Sequence, residues 1–122
     1  MGDMTRRDLQ LWAKNAGLPW EVGKDVEQSA PVGPVTPASK MGHPRAGALW
    51  LKANGVVKQK SDIDQLILPV TGIIAFLSEY YTLEPGDIIL TGTPAGIGPT
   101  KVGDIIEAGV GELTPIKLRV TS

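Results

Sequence analysis

Three polar side chains near the start of the chain have the types and spacing of a metal or anion site. Arg7 and Gln10 are three residues apart, so on a helix they are neighbours, and Asp3 comes just before them. A carboxylate in this position is a candidate ligand for a hard cation, which takes carboxylate oxygens and often keeps several waters. The alternative is an aspartate that caps a helix or complements its positive end. Spacing alone leaves both interpretations open.

Two further candidates lie in loops rich in glycine and proline. Lys24 follows a Pro-Trp-Glu-Val-Gly stretch, and taken alone it is typical of a solvated charge. Thr93 lies in the densest glycine cluster of the chain, residues 91–98, whose spacing matches neither the P-loop nor the dinucleotide fingerprint. That cluster predicts either a tight corner between two strands or a small concavity in which backbone N–H groups and the Thr93 hydroxyl hold an anion.

The composition excludes several classes of site. The 122 residues contain no cysteine and one histidine, which excludes disulfides, thiolate catalysis and zinc sites built from Cys or several His. Twelve basic and thirteen acidic side chains give a net charge of −1, so we expect no nucleic-acid partner. The longest apolar run, Ile73 to Leu77, is too short to span a bilayer, so we expect no membrane partner and a cytoplasmic location. The length predicts one domain over residues 1–122.

The elements that must position these residues begin with a helix over Thr5–Ala16. Its apolar side chains fall on one face, and Thr5 with Asp8 has the form of a capping box. The next stretch, Leu18–His43, is broken by Gly and Pro throughout and predicts a long loop.

Beyond that loop, Asn54-Gly55 predicts the turn of a β-hairpin with arms Ala48–Ala53 and Val56–Lys60. We expect a short turn at 62–67 and a second helix over Pro69–Tyr80 with a buried stripe of Val70, Ile73, Ile74 and Leu77. Three strands are predicted after it: Gly86–Thr91, Gly103–Glu107 and Leu113–Val120. The fold class is therefore mixed α/β and mainly β.

Several motifs occur together and in order: Asp-Met-Thr-Arg-Arg-Asp-Leu-Gln at 3–10, Gly-Leu-Pro-Trp at 17–20 with Lys24, Asn54-Gly55, and the stretch from Thr82 to Pro99 with Gly103-Asp104. Together they closely resemble the fumarylacetoacetate hydrolase family, and within it the fumarylpyruvate hydrolase and acylpyruvase branch. The resemblance implies a partly open, mixed β-roll with the two helices packed on its outside.

The resemblance also implies an activity. In that family a divalent cation, usually Mg²⁺ or Mn²⁺, chelates a 1,3-dioxo acid such as an acylpyruvate, and water cleaves a carbon–carbon bond. For this chain the resemblance implies Mg²⁺, Mn²⁺ or Ca²⁺. By position, Asp3 corresponds to a metal ligand and Lys24 to the lysine that stabilises the developing negative charge. Arg7, Gln10 and Thr93 correspond to groups that bind the substrate.

Departures from the family pattern qualify this expectation. No Glu-x-Glu pair occurs, His43 does not match the family's histidine, and Val26 stands where phenylalanine is usual. The resemblance therefore implies the C-terminal part of the catalytic domain with its N-terminal part missing, a weakly held metal, and little activity for the chain alone. Apolar faces left uncovered predict self-association, as a homodimer or higher. The alternatives are an oxaloacetate decarboxylase, a dienoate isomerase, or a non-catalytic remnant that acts only by association.

Overall fold

A computed structural model describes residues 1–121 of the chain. Its helices are α1 Arg7–Asn15, α2 Glu21–Lys24, α3 Ala38–Met41 and α4 Val70–Ser78, with one turn of 3₁₀ helix at Ile63–Gln65. Its strands are β1 Ala48–Ala53, β2 Val56–Asp62, β3 Ile105–Val110 and β4 Ile116–Arg119. The strands form one antiparallel sheet in the order β2-β1-β3-β4. The expected mixed α/β class is confirmed, although the helices contain slightly more residues than the strands.

The predicted hairpin is confirmed, and its turn is tied to a third strand. Asn54 and Gly55 both have positive φ, 51° and 79°, which suits the right-handed twist of a two-residue hairpin. The Asn54 side chain accepts from the Ile105 N–H at 2.9 Å and donates to the Asp104 carboxylate at 2.8 Å. The turn therefore fixes the entry into β3 as well as the pairing of β1 with β2.

The register of the sheet separates an apolar face from a polar one. Leu51 of β1 lies opposite Ala108 of β3, which lies opposite Ile116 of β4. On the other face, Glu107 and Lys117 form an ion pair at 3.1 Å. The β1/β2 register shifts at one point, so that Lys58 has no partner on β1 and forms a bulge. Bulges redirect the neighbouring side chains of a strand.

Both predicted helices are confirmed, although their caps differ from the prediction. Arg6 occupies the N-cap position of α1 without a side-chain hydrogen bond, so the predicted capping box is wrong. The Thr5 hydroxyl instead accepts a hydrogen bond from Lys24. Within the predicted turn at 62–67, Asp62 caps the 3₁₀ helix through the Asp64 N–H. The helix α4 begins at Val70, one residue later than predicted, because Pro69 has an extended backbone and occupies the N-cap position.

Other boundaries are corrected by the structure. The predicted loop 18–43 contains α2 and α3, and the last two predicted strands are observed as β3 and the shorter β4. The predicted strand Gly86–Thr91 is wrong: among residues 1–121 it joins no sheet. Its residues lie between Gly86 and Gly92, both at positive φ, and an extended segment becomes a strand only when a neighbour takes up its N–H and C=O groups.

Much of the apolar surface is uncovered. The accessible surface is 9355 Å², whereas a compact monomer of 12.9 kDa exposes about 6,300 Å². Ala13 and Ile106 are the buried hydrophobic residues of the described chain. The predicted buried stripe of α4 is wrong: Val70 and Ile74 are exposed, and Ile73 and Leu77 are only half-buried. None of the helices within residues 1–121 has the length and apolar character needed to cross a bilayer.

Candidate functional site

The position of Lys24 depends on close packing between α1 and α2. Gly23 is buried, and a Cβ added to it would lie 2.7 Å from the Gln10 backbone nitrogen. The Gly23 carbonyl accepts from the Arg6 N–H at 2.9 Å, just before α1 begins. Only glycine permits this approach of two backbones. As a result, the residue that follows Gly23 is brought to the start of α1.

Lys24 there meets the predicted metal ligand. Its ammonium group donates to the Asp3 carboxylate and, at 2.9 Å, to the Thr5 hydroxyl. The side chains of Lys24 and Asp3 are about one-third exposed, at 32% and 38%. We call Asp3, Thr5 and Lys24 the lysine cluster. It joins a cation and a carboxylate that remain accessible to a ligand.

The segment that carries Asp3 is itself held by backbone hydrogen bonds. The Met4 N–H donates to the Ser29 carbonyl at 2.7 Å, and the Gly2 N–H donates to the Pro31 carbonyl at 2.9 Å. These bonds lie on either side of Asp3 in sequence. The loop that follows α2 therefore fixes the backbone from which the Asp3 carboxylate projects.

Arg7 and Gln10 pair with each other, as their spacing predicts. The Arg7 guanidinium donates to the Gln10 carboxamide oxygen at 2.5 Å. Both lie in the first turns of α1, which starts four residues after Asp3. Within residues 1–121 neither side chain hydrogen-bonds to the lysine cluster, so the structure places them on the adjoining helix rather than in that cluster.

Thr93 belongs to a second polar group built on the sheet. The Gln59 amide nitrogen donates to the Thr93 hydroxyl and to the Pro94 carbonyl, each at 2.9 Å. Gly96, at φ +101°, lies so close to β2 that an added Cβ would overlap the Lys58 carbonyl oxygen. We call Gln59, Thr93, Pro94 and Gly96 the threonine cluster. The glycine-rich segment is therefore neither a corner between two strands nor free, but is fastened to the bulge of β2.

Gln59 is the polar residue that sequence reasoning missed. It is only 8% exposed, and its side chain emerges beside the bulge at Lys58. A buried glutamine in a strand is a recognisable signal once the strand register is known, because such a group must be hydrogen-bonded. The register itself is visible only in the folded chain.

The metal-ligand set within the chain is small. Residues 1–121 contain no group of three His, Cys, Asp or Glu side chains that could hold a metal ion. Asp3 is the single carboxylate of the lysine cluster, and one of its oxygens accepts from Lys24. One carboxylate oxygen is too few to hold a divalent cation on its own, so the described residues do not form a complete metal site.

The aspartates with altered acidity lie outside both clusters. Hydrogen bonds from the Gly47 and Asp64 N–H groups hold the pKa of Asp62 below its ordinary value. The Asn54 amide and the Lys101 N–H lower the pKa of Asp104, and the Arg6 side chain together with the Leu9 N–H lowers that of Asp8. These shifts reflect turns and helix ends, which need ionised carboxylates as acceptors.

Comparisons with known proteins connect this geometry to a family. The model of the fumarylacetoacetate (FAA) hydrolase C-terminal region matches residues 1–121. Fumarylpyruvate hydrolase of Ralstonia sp is 47% identical over 118 residues, which is 97% of this chain and 61% of that protein. The mitochondrial oxaloacetate tautomerase of Homo sapiens is 44% identical over the same share of this chain and 53% of its own.

The likeness extends to solved structures. The crystal structure of fumarylpyruvate hydrolase from Pseudomonas aeruginosa in complex with Mn²⁺ and pyruvate aligns with a TM-score of 0.94 and 45% identity, covering 98% of this chain and 51% of that one. The chain thus spans between half and two thirds of the length of these relatives. With the family model matched over the whole described length, the chain belongs to the fumarylacetoacetate hydrolase family.

Proposed function

We propose that the chain carries the substrate-binding side of an enzyme that cleaves a carbon–carbon bond in 1,3-dioxo acids of the acylpyruvate or fumarylpyruvate type. The observation that carries the proposal is the lysine cluster, in which the Lys24 ammonium and the Asp3 carboxylate form an ion pair that a ligand can reach from solvent. Relatives named as fumarylpyruvate hydrolases support the substrate class.

The chemistry requires a cation where negative charge develops. When water cleaves an acylpyruvate, one product is a carboxylic acid and the other leaves as the enolate of pyruvate, which a proton then converts to pyruvate. The Lys24 ammonium donates hydrogen bonds and stabilises the enolate oxygen as its charge grows. The Arg7 guanidinium and the Thr93 hydroxyl are donors for the substrate carboxylate, and Gln10 orients Arg7 through the bond at 2.5 Å.

We further propose a divalent cation with Asp3 as one of its ligands. A relative was crystallised with Mn²⁺, and the donor chemistry suits Mn²⁺, Mg²⁺ or Ca²⁺ alike. Such a cation, when bound, polarises a substrate oxygen as a Lewis acid. Because Asp3 is the single carboxylate of its cluster, the remaining ligands must come from water, from the substrate or from another polypeptide segment.

A second activity has specific support. Relatives from several mammals are named as oxaloacetate tautomerases, with identities of 42–44% over 97% of this chain. Interconversion of the keto and enol forms of oxaloacetate passes through an enolate, so it needs the same ammonium group at the same atom. Oxaloacetate tautomerase is therefore the second candidate, and a decarboxylase or a dienoate isomerase would use the same lysine.

Association with a second polypeptide, either another copy or the complementary half of such a domain, is part of this proposal. The chain exposes about 3,000 Å² more than a compact monomer of its mass, which is the size of an obligate interface. Trp12 on α1 and Trp20 at the start of α2 are each about half exposed and contribute to that excess. A cytoplasmic location remains a prediction, and several relatives are named as mitochondrial.

The proposal is tested by pyruvate release from an acylpyruvate in the presence of Mn²⁺. The chain is assayed alone and mixed with the half of the Pseudomonas aeruginosa relative that lies outside the match. The family resemblance places the group that activates water outside residues 1–122, so the chain alone should fall short of the full-length relative by about 10²–10⁴-fold. The mixture should recover activity.

Two variants make this assay specific. Asp3→Ala should abolish the recovered activity, whereas Asp25→Ala, an exposed aspartate at the end of α2, should not change it. Turnover by the chain alone within about tenfold of the relative contradicts the proposal. Recovered activity that survives Asp3→Ala removes Asp3 from the metal site.

A further inference from the structure

We propose that Gln59 is a positioning residue that fixes the Thr93 hydroxyl as a hydrogen-bond donor for the carboxylate of the substrate. The inference deepens the proposed function and rests on it for the identity of the ligand. Its geometry, however, is independent of the lysine cluster, because the residues involved lie on β2 and on the glycine-rich segment.

The direction of the two hydrogen bonds follows from chemistry. The Pro94 carbonyl can only accept, so the Gln59 side chain must turn its NH₂ group toward it. The same nitrogen lies 2.9 Å from the Thr93 oxygen, so the second N–H donates there. Both donors of the amide are thereby used, and the Thr93 oxygen is an acceptor. Its own proton must point elsewhere.

The surroundings hold this arrangement in place. Gln59 is 8% exposed, so its amide pays a large desolvation cost if it turns away from its two partners. The bulge at Lys58 sets the direction of the Gln59 side chain, and the close approach of Gly96 to the Lys58 carbonyl keeps the segment against β2. Thr93 is exposed, so a carboxylate of a ligand can reach its hydroxyl and accept the proton that Gln59 leaves free.

This arrangement differs from that of an ordinary threonine on a loop. A free hydroxyl rotates and serves as donor or acceptor in turn. Here Gln59 occupies one of the two lone pairs of the Thr93 oxygen, which holds the hydroxyl in place and leaves its proton free to be donated. Gln59 therefore holds the Thr93 hydroxyl ready to donate to an acceptor such as a carboxylate oxygen, without touching the ligand itself.

The experiment combines a ligand-free readout with a binding cycle. Backbone ¹⁵N order parameters of residues 92–98 are measured for the wild type and Gln59→Leu. Pyruvate affinity in the presence of Mn²⁺ is then measured by calorimetry, each time with the half of the Pseudomonas aeruginosa relative that lies outside the match, for the wild type, Gln59→Leu, Thr93→Val and the double variant. Gln65→Leu is the control, since Gln65 is exposed and donates only to its neighbour Asp64.

The expected results are specific. In Gln59→Leu the order parameters of residues 92–98 should fall from values near 0.85 to below about 0.6. Gln59→Leu and Thr93→Val should each weaken pyruvate about tenfold, and the double variant should be no weaker than Thr93→Val. Gln65→Leu should match the wild type in both readouts.

Three outcomes overturn the inference: order parameters unchanged in Gln59→Leu, pyruvate affinity unchanged in Gln59→Leu while Thr93→Val weakens it, or losses that add in the double variant. Failure of the proposed function looks different. In that case the wild type does not bind pyruvate with Mn²⁺, whereas the order parameters still respond to Gln59→Leu and confirm that Gln59 positions the segment.

Discussion

The lysine cluster and the threonine cluster are both assembled by close backbone packing at a glycine, but they join residues at different distances in sequence. In each, a glycine lets one backbone lie against another: Gly23 against the start of α1, and Gly96 against the bulge of β2. The lysine cluster joins charged groups that are partly exposed, within the first 24 residues. The threonine cluster joins neutral groups around a buried Gln59, across 34 residues of sequence. In both clusters, close packing of two backbones at a glycine brings the polar side chains together.

The largest effect is expected from Gly96→Ala. The new Cβ would overlap the Lys58 carbonyl and would sit on a backbone at φ +101°, which side chains rarely adopt. Strain and overpacking together should lower the free energy of unfolding by about 2–4 kcal/mol, measured by urea denaturation. Gly98→Ala is the control, since nothing lies within 4 Å of its Cβ and its change should stay within about 0.5 kcal/mol. Equal stabilities for the two variants would contradict the account of the threonine cluster.

A smaller effect is expected from Gly23→Ala, the matching change in the lysine cluster. Its Cβ would lie 2.7 Å from the Gln10 nitrogen, but its backbone is not at positive φ, so only the contact is strained. The displacement of α2 from α1 should lower the free energy of unfolding, measured by urea denaturation, by about 1–3 kcal/mol. The loss of stability should therefore be less than in Gly96→Ala. A larger loss of stability in Gly23→Ala than in Gly96→Ala would show that the positive φ of Gly96 adds no strain to the contact.

The two clusters also differ in how far the sequence predicts them. Arg7 and Gln10 are neighbours on α1 because three-residue spacing dictates it, and the pairing is observed. The contact of Asp3 with Lys24 was not predictable from spacing, which left Asp3 as either a ligand or a cap and Lys24 as a solvated charge; the family resemblance gave each a role in the same site. The capping box failed because a lysine 19 residues away competes for the Thr5 hydroxyl. Local patterns cannot reveal such a competitor.

The threonine cluster and the absence of a strand at 86–91 could not be predicted from the sequence for a common reason: both depend on contacts between segments that are distant in sequence. Gln59 could not be predicted to lie beside Thr93, since a bulge that no local pattern marks decides the direction of its side chain. The segment 86–91 has the composition of a strand, yet pairing requires a neighbour that local patterns do not specify. The hairpin at Asn54-Gly55 was predictable because its turn chemistry and its pairing lie in the same few residues.

The smallest effect concerns Asp62 at the end of the strand that carries Gln59. Its pKa is lowered in the folded chain, so its carboxylate stabilises the fold above its unfolded pKa of about 3.9, and that contribution is lost as the pH falls through the lower folded pKa. Denaturation midpoints measured from pH 6 to pH 2.5 should therefore fall more steeply for the wild type than for Asp62→Asn. Parallel curves would show that Asp62 does not contribute to the acid sensitivity of β2.

Calorimetric titration of oxalate measures whether Asp3 and Lys24 together form the anion and metal site. The wild type should bind oxalate more tightly with Mg²⁺ than without it. Lys24→Met should weaken that binding by on the order of 1–3 kcal/mol, the contribution of a charge-assisted hydrogen bond, while Lys14→Met in the last turn of α1 should change it by a few tenths. Equal affinities for the wild type and Lys24→Met, or no effect of Mg²⁺ on the wild type, would contradict the claim.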